Sequence, residues 1–380
     1  MRIAHVTDCY LPRLGGIEMQ VHDLARHQIA AGDEVLVVTA TPRARHDRTT
    51  DEVVDGVPVR RVTADLPFEL PVHPRPGHHV GRIVREGGFD AVQVHVGVVS
   101  PFAAGALPAL VASGVPTVVT VHSIWGPARP AFAALDRVVH WSRWPIAFSA
   151  VSSVAAEPLR RVAGPGVQVD VLPNGIDPGP WQVVPVERDP SDVLVVAVMR
   201  LAPRKRPLPL LRVLRDAREA LPDGVRLRAV VVGDGPERGA MERFLRREAM
   251  TGWVELAGRW DRDRIRELYR RADLFVAPAV LESFGIAALE ARCAGLPVLG
   301  RSQSGVREFV ADGVEGALAP TDGDLTAALV RLASTPGLRR RIGDHNRAVP
   351  VSVTWPDVLA RTTATYHRAA SLRPPPPAAP

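Results

Sequence analysis

The chain has 380 residues, 46% of them hydrophobic, with a formal net charge of +6, which suits two globular domains each with its own buried core. Its two cysteines, Cys9 and Cys293, lack any metal-ligand spacing and exclude a disulfide framework, and no apolar run approaches the roughly 20 residues needed to span a bilayer. Of the 47 basic residues all but one are arginine, the exception being Lys205, and a surface of this kind is open to nucleic acid, an anionic membrane or a phosphorylated small molecule.

The N-terminus, MRIAHVTDCY, runs directly into a short apolar strand without the longer apolar core and cleavage site of a signal peptide. A cytoplasmic protein is expected, with peripheral contact at the inner membrane face left open. Short apolar runs then recur, each followed by a Gly-, Pro- or charge-rich loop and a helical pattern. In the first half they are IAHVT (3–7), EVLVVTA (34–40), AVQVHV (91–96), TVVTVH (117–122) and AFSAVS (147–152). In the second half they are DVLVVAV (192–198), LRAVVVG (227–233), WVELAG (253–258), DLFVAP (273–278) and LPVLG (296–300). Continuous Val-rich runs separated by helices predict parallel sheets buried on both faces, and two sets predict two doubly wound α/β domains.

The predicted layout is an N-terminal Rossmann-like domain over 1–175, a Pro-, Gly- and Asp-rich linker over 176–192, and a C-terminal Rossmann-like domain over 193–352. Residues 353–371 predict one amphipathic helix, with Trp355, Leu359 and Tyr366 available to dock on the N-terminal domain, and 372–380 an extended Pro-rich tail.

Ligands of open α/β sheets sit beyond the carboxyl ends of the strands. After the first strand, Gly15 and Gly16 precede a helix of about 15 residues closed by Gly32, and offer close backbone approach and free N–H groups to an anion. This is not the G-x-G-x-x-G fingerprint of a nicotinamide dehydrogenase. The first strand of the second half is followed by MRLAPRKRP, which places Arg200 and Lys205 at the mouth of that sheet, and the second by GDGPER, whose Gly233 and Gly235 expose backbone. The densest signal is APAVLESFGIAALEARCAGLPVLG (277–300). Ser283 reads as the cap and Gly295 as the stop of a short helix striped by Ile286, Leu289 and Cys293. Glu282 lies just before that helix and Glu290 near its buried stripe, where a carboxylate needs donors such as sugar hydroxyls. The N–H groups of Phe284, Gly285 and Ile286 between them form an anion site.

At these residues the chain resembles the retaining nucleotide-sugar glycosyltransferases of family 4, with the two-domain GT-B fold. The resemblance rests on ESFGIAALE with its flanks and on GGIE, VHS (121–123), LPNGID (172–177), MRLAPRK, VVVGDGPER and TWPDVLARTTATY in that order. It covers nearly the whole chain and is weakest over 41–90. It implies two Rossmann-like domains facing a central cleft, the first the acceptor domain and the second the donor domain, with Arg200 and Lys205 clamping the donor diphosphate, Glu282 holding donor-sugar hydroxyls and Glu290 the ribose. The amides after Ser283 would meet phosphate, Gly16 would approach the diphosphate from the other domain, and His122 would sit beside the donor sugar. Arg259 and Trp260, in AGRW, would border the nucleobase. The doubled Pro207 and Pro209 depart from the pattern and leave the length of the following helix open.

The resemblance further implies transfer from a nucleotide-diphosphate sugar with retention, without metal or other cofactor, because fixed cations and helix N–H groups stabilise a diphosphate leaving group. The only acidic candidate for a metal, Asp261-Arg262-Asp263, reads as a helix cap. A cell-envelope glycan or lipid-linked acceptor is the first expectation and a small secondary metabolite the next. A nucleotide-sugar 2-epimerase on the same scaffold and a non-enzymatic binder of nucleic acid or membrane are the competing readings. Nucleic acid is disfavoured, because basic residues alternate with Asp and Glu rather than segregating to one face. His95, at the end of a strand, reads either as a cleft residue or as a satisfied core histidine. His46, His78, His79 and His140 read as solvated, and Trp141, Arg143 and Trp144 as packing or, alternatively, as an interfacial anchor.

Overall fold

The computed structural model describes residues 1–13, 15–43, 50–64 and 71–372. His46 and the Pro-rich tail beyond Leu372 lie outside the described residues. The chain divides into two compact units, residues 1–175 together with the last helix, and residues 176–354.

The first unit holds an eight-stranded sheet of β1 (Arg2–Thr7), β2 (Glu34–Thr39), β3 (Thr50–Val54), β4 (Val57–Arg61), β5 (Ala91–Val96), β6 (Thr117–Val121), β7 (Ala147–Ala150) and β8 (Val169–Val171). Their order is β3-β4-β2-β1-β5-β6-β7-β8. Every pair is parallel except the β3–β4 hairpin. Every residue of β5, β6 and β7 is buried, as expected when helices cover both faces of a parallel sheet. Those helices are α1 (Gly16–Ala30), α2 (Pro76–Gly87), α3 (Pro101–Ser113), α4 (Arg129–Val139) and α5 (Ser153–Ala163).

The hairpin is not among the elements the sequence predicts. It turns on Asp55 and Gly56, both at positive φ (46° and 84°), the conformation Asp-Gly supplies in a tight hairpin turn. Its Arg61 is 1% exposed, donates to the carbonyls of Thr41 and Leu11 (2.7 Å each) and pairs with Glu52. The hairpin thereby fixes the loop that leads to Gly15 and Gly16.

The second unit holds six parallel strands, β9 (Asp192–Val198), β10 (Arg226–Val232), β11 (Val254–Gly258), β12 (Leu274–Ala277), β13 (Val298–Arg301) and β14 (Gly316–Ala319). The order is β11-β10-β9-β12-β13-β14. With the helices α6 (Pro207–Glu219), α7 (Arg238–Arg247), α8 (Arg262–Arg271), α9 (Ile286–Cys293), α10 (Asp322–Ser334) and α11 (Pro336–Ala348), this is the strand order of a dinucleotide-binding fold, reversing between β9 and β12. The reading of 176–192 as a linker is incomplete: Trp181 is 5% exposed and packs 6.0 Å from the Tyr269 ring, so this stretch joins the core of the second unit. Pro207 and Pro209 do not shorten α6, a 13-residue helix, because they fall in its first turn, where amides have no intrahelical partner.

The last helix, α12 (Trp355–Ser371), belongs to the first unit. Trp355 and Val358 pack with Leu24 of α1, and Tyr366 and Ala369 enter the core formed by Ile3, Ala91, Val118 and Ala147. Trp141 is buried against Phe148. Cys293 is buried and Cys9 half-buried, with burial raising their thiols to about 12 and about 11, so neither is a reactive thiolate near neutrality.

Candidate active site

In the second unit the loops that follow β9 and β12 flank the point where strand order reverses, the crevice in which open α/β sheets bind ligands. The first of them forms a single 3-10 turn, Pro203–Lys205, that ends at Arg206 in the left-handed region (φ 58°). Arg206 is anchored away from the loop by two hydrogen bonds to Asp322, of 2.9 and 2.8 Å. Lys205 reaches across the switch point, and its Nζ pairs with Oε2 of Glu282. Two side chains predicted to touch different parts of a donor therefore neutralise each other before any donor arrives. Arg200 is exposed and forms no ion pair among the described residues.

Glu282 is set by the turn that opens α9. Ser283 is not the helix cap, as the sequence suggests; Gly285 holds that position at φ 96°, without a side-chain cap. Phe284 is the reason: its ring is 1% exposed and packs 5.4 Å from Phe309, so the chain must reverse direction immediately after it. A left-handed residue achieves this, and a Cβ there would meet Val306 at 3.0 Å, so glycine is required on both counts. The Gly305 amide donates to the Glu282 carbonyl (2.8 Å), and Gly305 has no room for a side chain against Ser283. Among the described residues the N–H groups of Phe284, Gly285 and Ile286 make no hydrogen bond. They form an unengaged set of donors at a helix N-terminus, one turn from an acid already held by a cation. Glu290, on the next turns of α9, is 8% exposed, and its charge adds to burial in holding the Tyr269 hydroxyl well above its ordinary pKa.

Gly233 and Gly235 act differently from expectation. Their amides are engaged, Gly233 to the Gly258 carbonyl (2.7 Å) and Gly235 to Oδ1 of Asp234 (2.8 Å). A Cβ on either would strike the carbonyl of Met199 or Leu201. Their bareness lets this loop pack against the 199–201 loop, so they shape the mouth of the sheet rather than offer it donors. Beside them Arg259 is exposed and lies 3.8 Å from Asp234, while the Trp260 ring carries Arg264 at 4.0 Å over its face. The Trp260 Nε1–H is buried without a partner among the described residues. Asp261 caps α8 by accepting from Arg264 N.

In the first unit Gly16 opens α1, and a Cβ there would meet nothing within 4 Å. Gly15 differs, being closed off by Glu18. His122 follows β6, is 8% exposed, and its amide donates to the Val96 carbonyl (2.8 Å). Burial lowers its pKa to about 4, so the ring is neutral at pH 7. His95 is a core histidine, bonded on both ring nitrogens, to His5 (3.0 Å) and His122 (2.9 Å).

Asp8 is not among the residues the sequence singles out. It stands at the end of β1, beside this unit's own switch point between β1 and β5. Its Oδ1 accepts from Phe102 N (2.8 Å), while its Oδ2 is buried without a partner. Burial raises its pKa to about 6. Its place at the end of a buried strand is the available signal.

Residues 14–179 match the family Glycosyltransferase Family 4, and residues 184–349 match Glycosyl transferases group 1. A GDP-mannose-dependent alpha-mannosyltransferase of Mycolicibacterium smegmatis is 30% identical, over 96% of this chain and 97% of that protein. The chain belongs to glycosyltransferase family 4. Another relative of this glycosyltransferase, a phosphatidylinositol N-acetylglucosaminyltransferase of Arabidopsis thaliana, is 26% identical over 97% of this chain and 82% of its own. Among solved structures, sucrose-phosphate synthase of Thermosynechococcus elongatus superposes with a TM-score of 0.76 at 19% identity, covering 98% of this chain and all of that one. Anabaena HepE in complex with UDP gives 0.72 at 18% identity, over 97% and 100%. These likenesses show that the glycosyltransferase has the GT-B fold, with both Rossmann-like units present. No helix among the described residues is long and apolar enough to cross a membrane.

Proposed function

We propose that this glycosyltransferase moves a sugar from a nucleoside diphosphate sugar to a hydroxyl of a glycan or glycolipid precursor, with retention of anomeric configuration and without a metal. The observation that carries the reading is the Lys205–Glu282 pair at the β9/β12 switch point, beside three unengaged amides. A diphosphate entering there draws Lys205 away from Glu282. Lys205 and Arg200 then face the leaving group as its charge builds, and the freed carboxylate accepts hydrogen bonds from sugar hydroxyls. Fixed cations and helix amides do the work that a divalent ion does in metal-dependent transferases. Glu290 is assigned to the ribose, Trp260 and Arg259 to the base, and Gly16 and His122 to the substrate contacts of the first unit.

The lipid acceptor named for the Arabidopsis relative and the GDP-mannose donor named for the mycobacterial one support the substrate classes. The test is incubation with UDP-, GDP- and ADP-sugars with and without glycan and lipid-linked acceptors, in EDTA. We expect slow donor hydrolysis alone, faster transfer with an acceptor, and an α product from an α donor by proton NMR. An inverted product, or loss of activity in EDTA, overturns the reading.

A further inference from the structure

The first unit contains a buried chain of side-chain hydrogen bonds that starts at His122 and ends on a backbone carbonyl. The carbonyl of Val119 accepts from Ser149 Oγ (3.3 Å). A carbonyl can only accept, and with the serine proton on it Ser149 Oγ accepts from Thr120 Oγ1 (2.9 Å). Thr120, its own proton used, accepts from Gln93 Nε2 (2.8 Å), and Gln93 Oε1 accepts from the Tyr366 hydroxyl (2.6 Å). The Tyr366 oxygen accepts from Gln28 Nε2 (3.0 Å), which leaves Gln28 Oε1 to accept from His5 Nε2 (2.6 Å). A neutral imidazole that donates from one nitrogen accepts at the other. His5 Nδ1 therefore accepts from His95 Nε2 (3.0 Å), and His95 Nδ1 accepts from His122 Nε2 (2.9 Å).

Every donor in the chain points the same way. We propose that His95, His5, Gln28 and Tyr366 are positioning residues that hold His122 as its Nε2–H tautomer, leaving Nδ1 as a bare lone pair that accepts a hydrogen bond from a substrate hydroxyl. Among the described residues the His122 ring bonds through Nε2 and nothing bonds to Nδ1. The three rings and the tyrosine are at most 8% exposed, so water cannot substitute for a missing link and each lost partner strands a buried group. Burial lowers His5 and His122 to about 4 and His95 further, which keeps all three rings neutral, as the one-way chain requires. A hydroxyl-facing His122 rests on the glycosyl-transfer reading; the tautomer does not. The link that reaches furthest along the sequence is Tyr366, on the last helix, 338 residues from its partner Gln28.

Histidine-selective 15N labelling of the full chain, without substrate at pH 7, reads the tautomer directly from long-range proton–nitrogen correlations, with His122→Gln giving the assignment. We expect one His122 species, protonated at Nε2 and bare at Nδ1. Tyr366→Phe and Thr120→Val each break the chain at a point that does not touch His122, and each should produce a mixture of His122 tautomers. Turnover should fall about 3- to 10-fold, the worth of roughly one hydrogen bond, with little change in donor KM. A parent His122 found as Nδ1–H or imidazolium overturns the proposal, as does a His122 signal unchanged in both variants. If Tyr366→Phe does not fold, the parent spectrum and Thr120→Val decide. A one-species His122 that responds to both variants in a protein that transfers no sugar would leave the positioning chain standing and remove the proposed function.

Discussion

Lys205 is the single lysine in a chain that uses arginine freely on both sides of it, and its structural setting gives the exception a reason. An ammonium is a compact charge that can turn from one partner to another, whereas a guanidinium is a planar fork with fixed donor directions. Lys205 is about a fifth exposed and paired with Glu282, so in the proposed donor role it exchanges a carboxylate for a diphosphate. Arg206, which holds still, makes a two-bond fork to Asp322. We expect Lys205→Ala to lower kcat by about 100- to 1000-fold, the usual cost of one preorganised charge-stabilising donor, and Lys205→Arg to recover part of that. Adding Glu282→Ala to Lys205→Ala should cost much less than Glu282→Ala costs alone, because the two residues act as one device. Full additivity in kcat measured with saturating donor would separate them. The histidine chain makes a second expectation at this scale. His5 and His122 titrate near 4 in the fold against 6.5 unfolded, so the folded unit binds fewer protons than the unfolded chain, and stability present above pH 6.5 is lost as pH falls toward 4. Asp8 acts in the opposite direction between about 6 and 3.8, but a single carboxyl opposes two rings, and His95 adds to the loss. On the order of 3 to 4 kcal/mol should disappear by pH 4 from His5, His122 and Asp8 together. Urea midpoints recorded from pH 7 to 4.5 read this, and a flat series refutes it.

Among the elements, those with both faces buried are legible. Apolar runs mark ten strands, and the clearest of them are those whose sheet is covered by helices on both faces. The β3–β4 hairpin escapes because its outer face carries Asp51 and Arg60, so only the Asp55-Gly56 turn announces it. Strand β8 is only three residues long, and β14 reads GALA, without a β-branched or aromatic residue to mark it. Between β12 and α9, ESFGIAALE is readable because its groups lie within nine residues, yet its pattern points to Ser283 as the cap. What moves the cap is the burial of Phe284 against Phe309, a contact no local pattern contains. The histidine chain is illegible for the same reason on a larger scale, since its links join residues from 23 to 338 positions apart. Glycines at the two loops give an expectation with opposite signs. Gly285→Ala places a side chain at φ 96° against Val306 and should cost about 1–2 kcal/mol along with donor use. Gly16→Ala enters open space at the start of a helix, where alanine is favoured, so Tm should hold while donor KM rises. Thermal melts beside donor titrations distinguish the two cases, and a Gly16→Ala enzyme with unaltered KM would remove Gly16 from the site.

At the scale of the whole molecule, the chain does not finish where its second unit ends. It returns, and α12 supplies material that the first unit lacks. Trp355 stacks on His27 at 4.5 Å and sits where a side chain on Gly175 would be. Arg368 binds Asp170 (2.7 Å) and the Phe148 carbonyl (3.1 Å), tying α12 to β7 and β8. Tyr366 is 1% exposed in the core and closes the polar chain between Gln28 and Gln93. Removing this helix therefore exposes Leu24 and the apolar floor of β1, β5 and β6, and strands two buried amides as well. The second unit has its own core of β9 to β14 and their helices, so the loss should be confined. We expect a chain ending at residue 354 to lose hydrogen-exchange protection in β1, β5 and β6 while retaining it in β9, β10 and β12. The single change Trp355→Ala should reproduce part of this, at about 3–5 kcal/mol for a buried tryptophan. Glycosyl transfer should vanish with the first unit, although the Lys205–Glu282 loop is untouched. Protection lost equally in both sheets would mean that the two units fold as one, and protection lost in neither would mean that α12 is an accessory rather than part of the first unit's core.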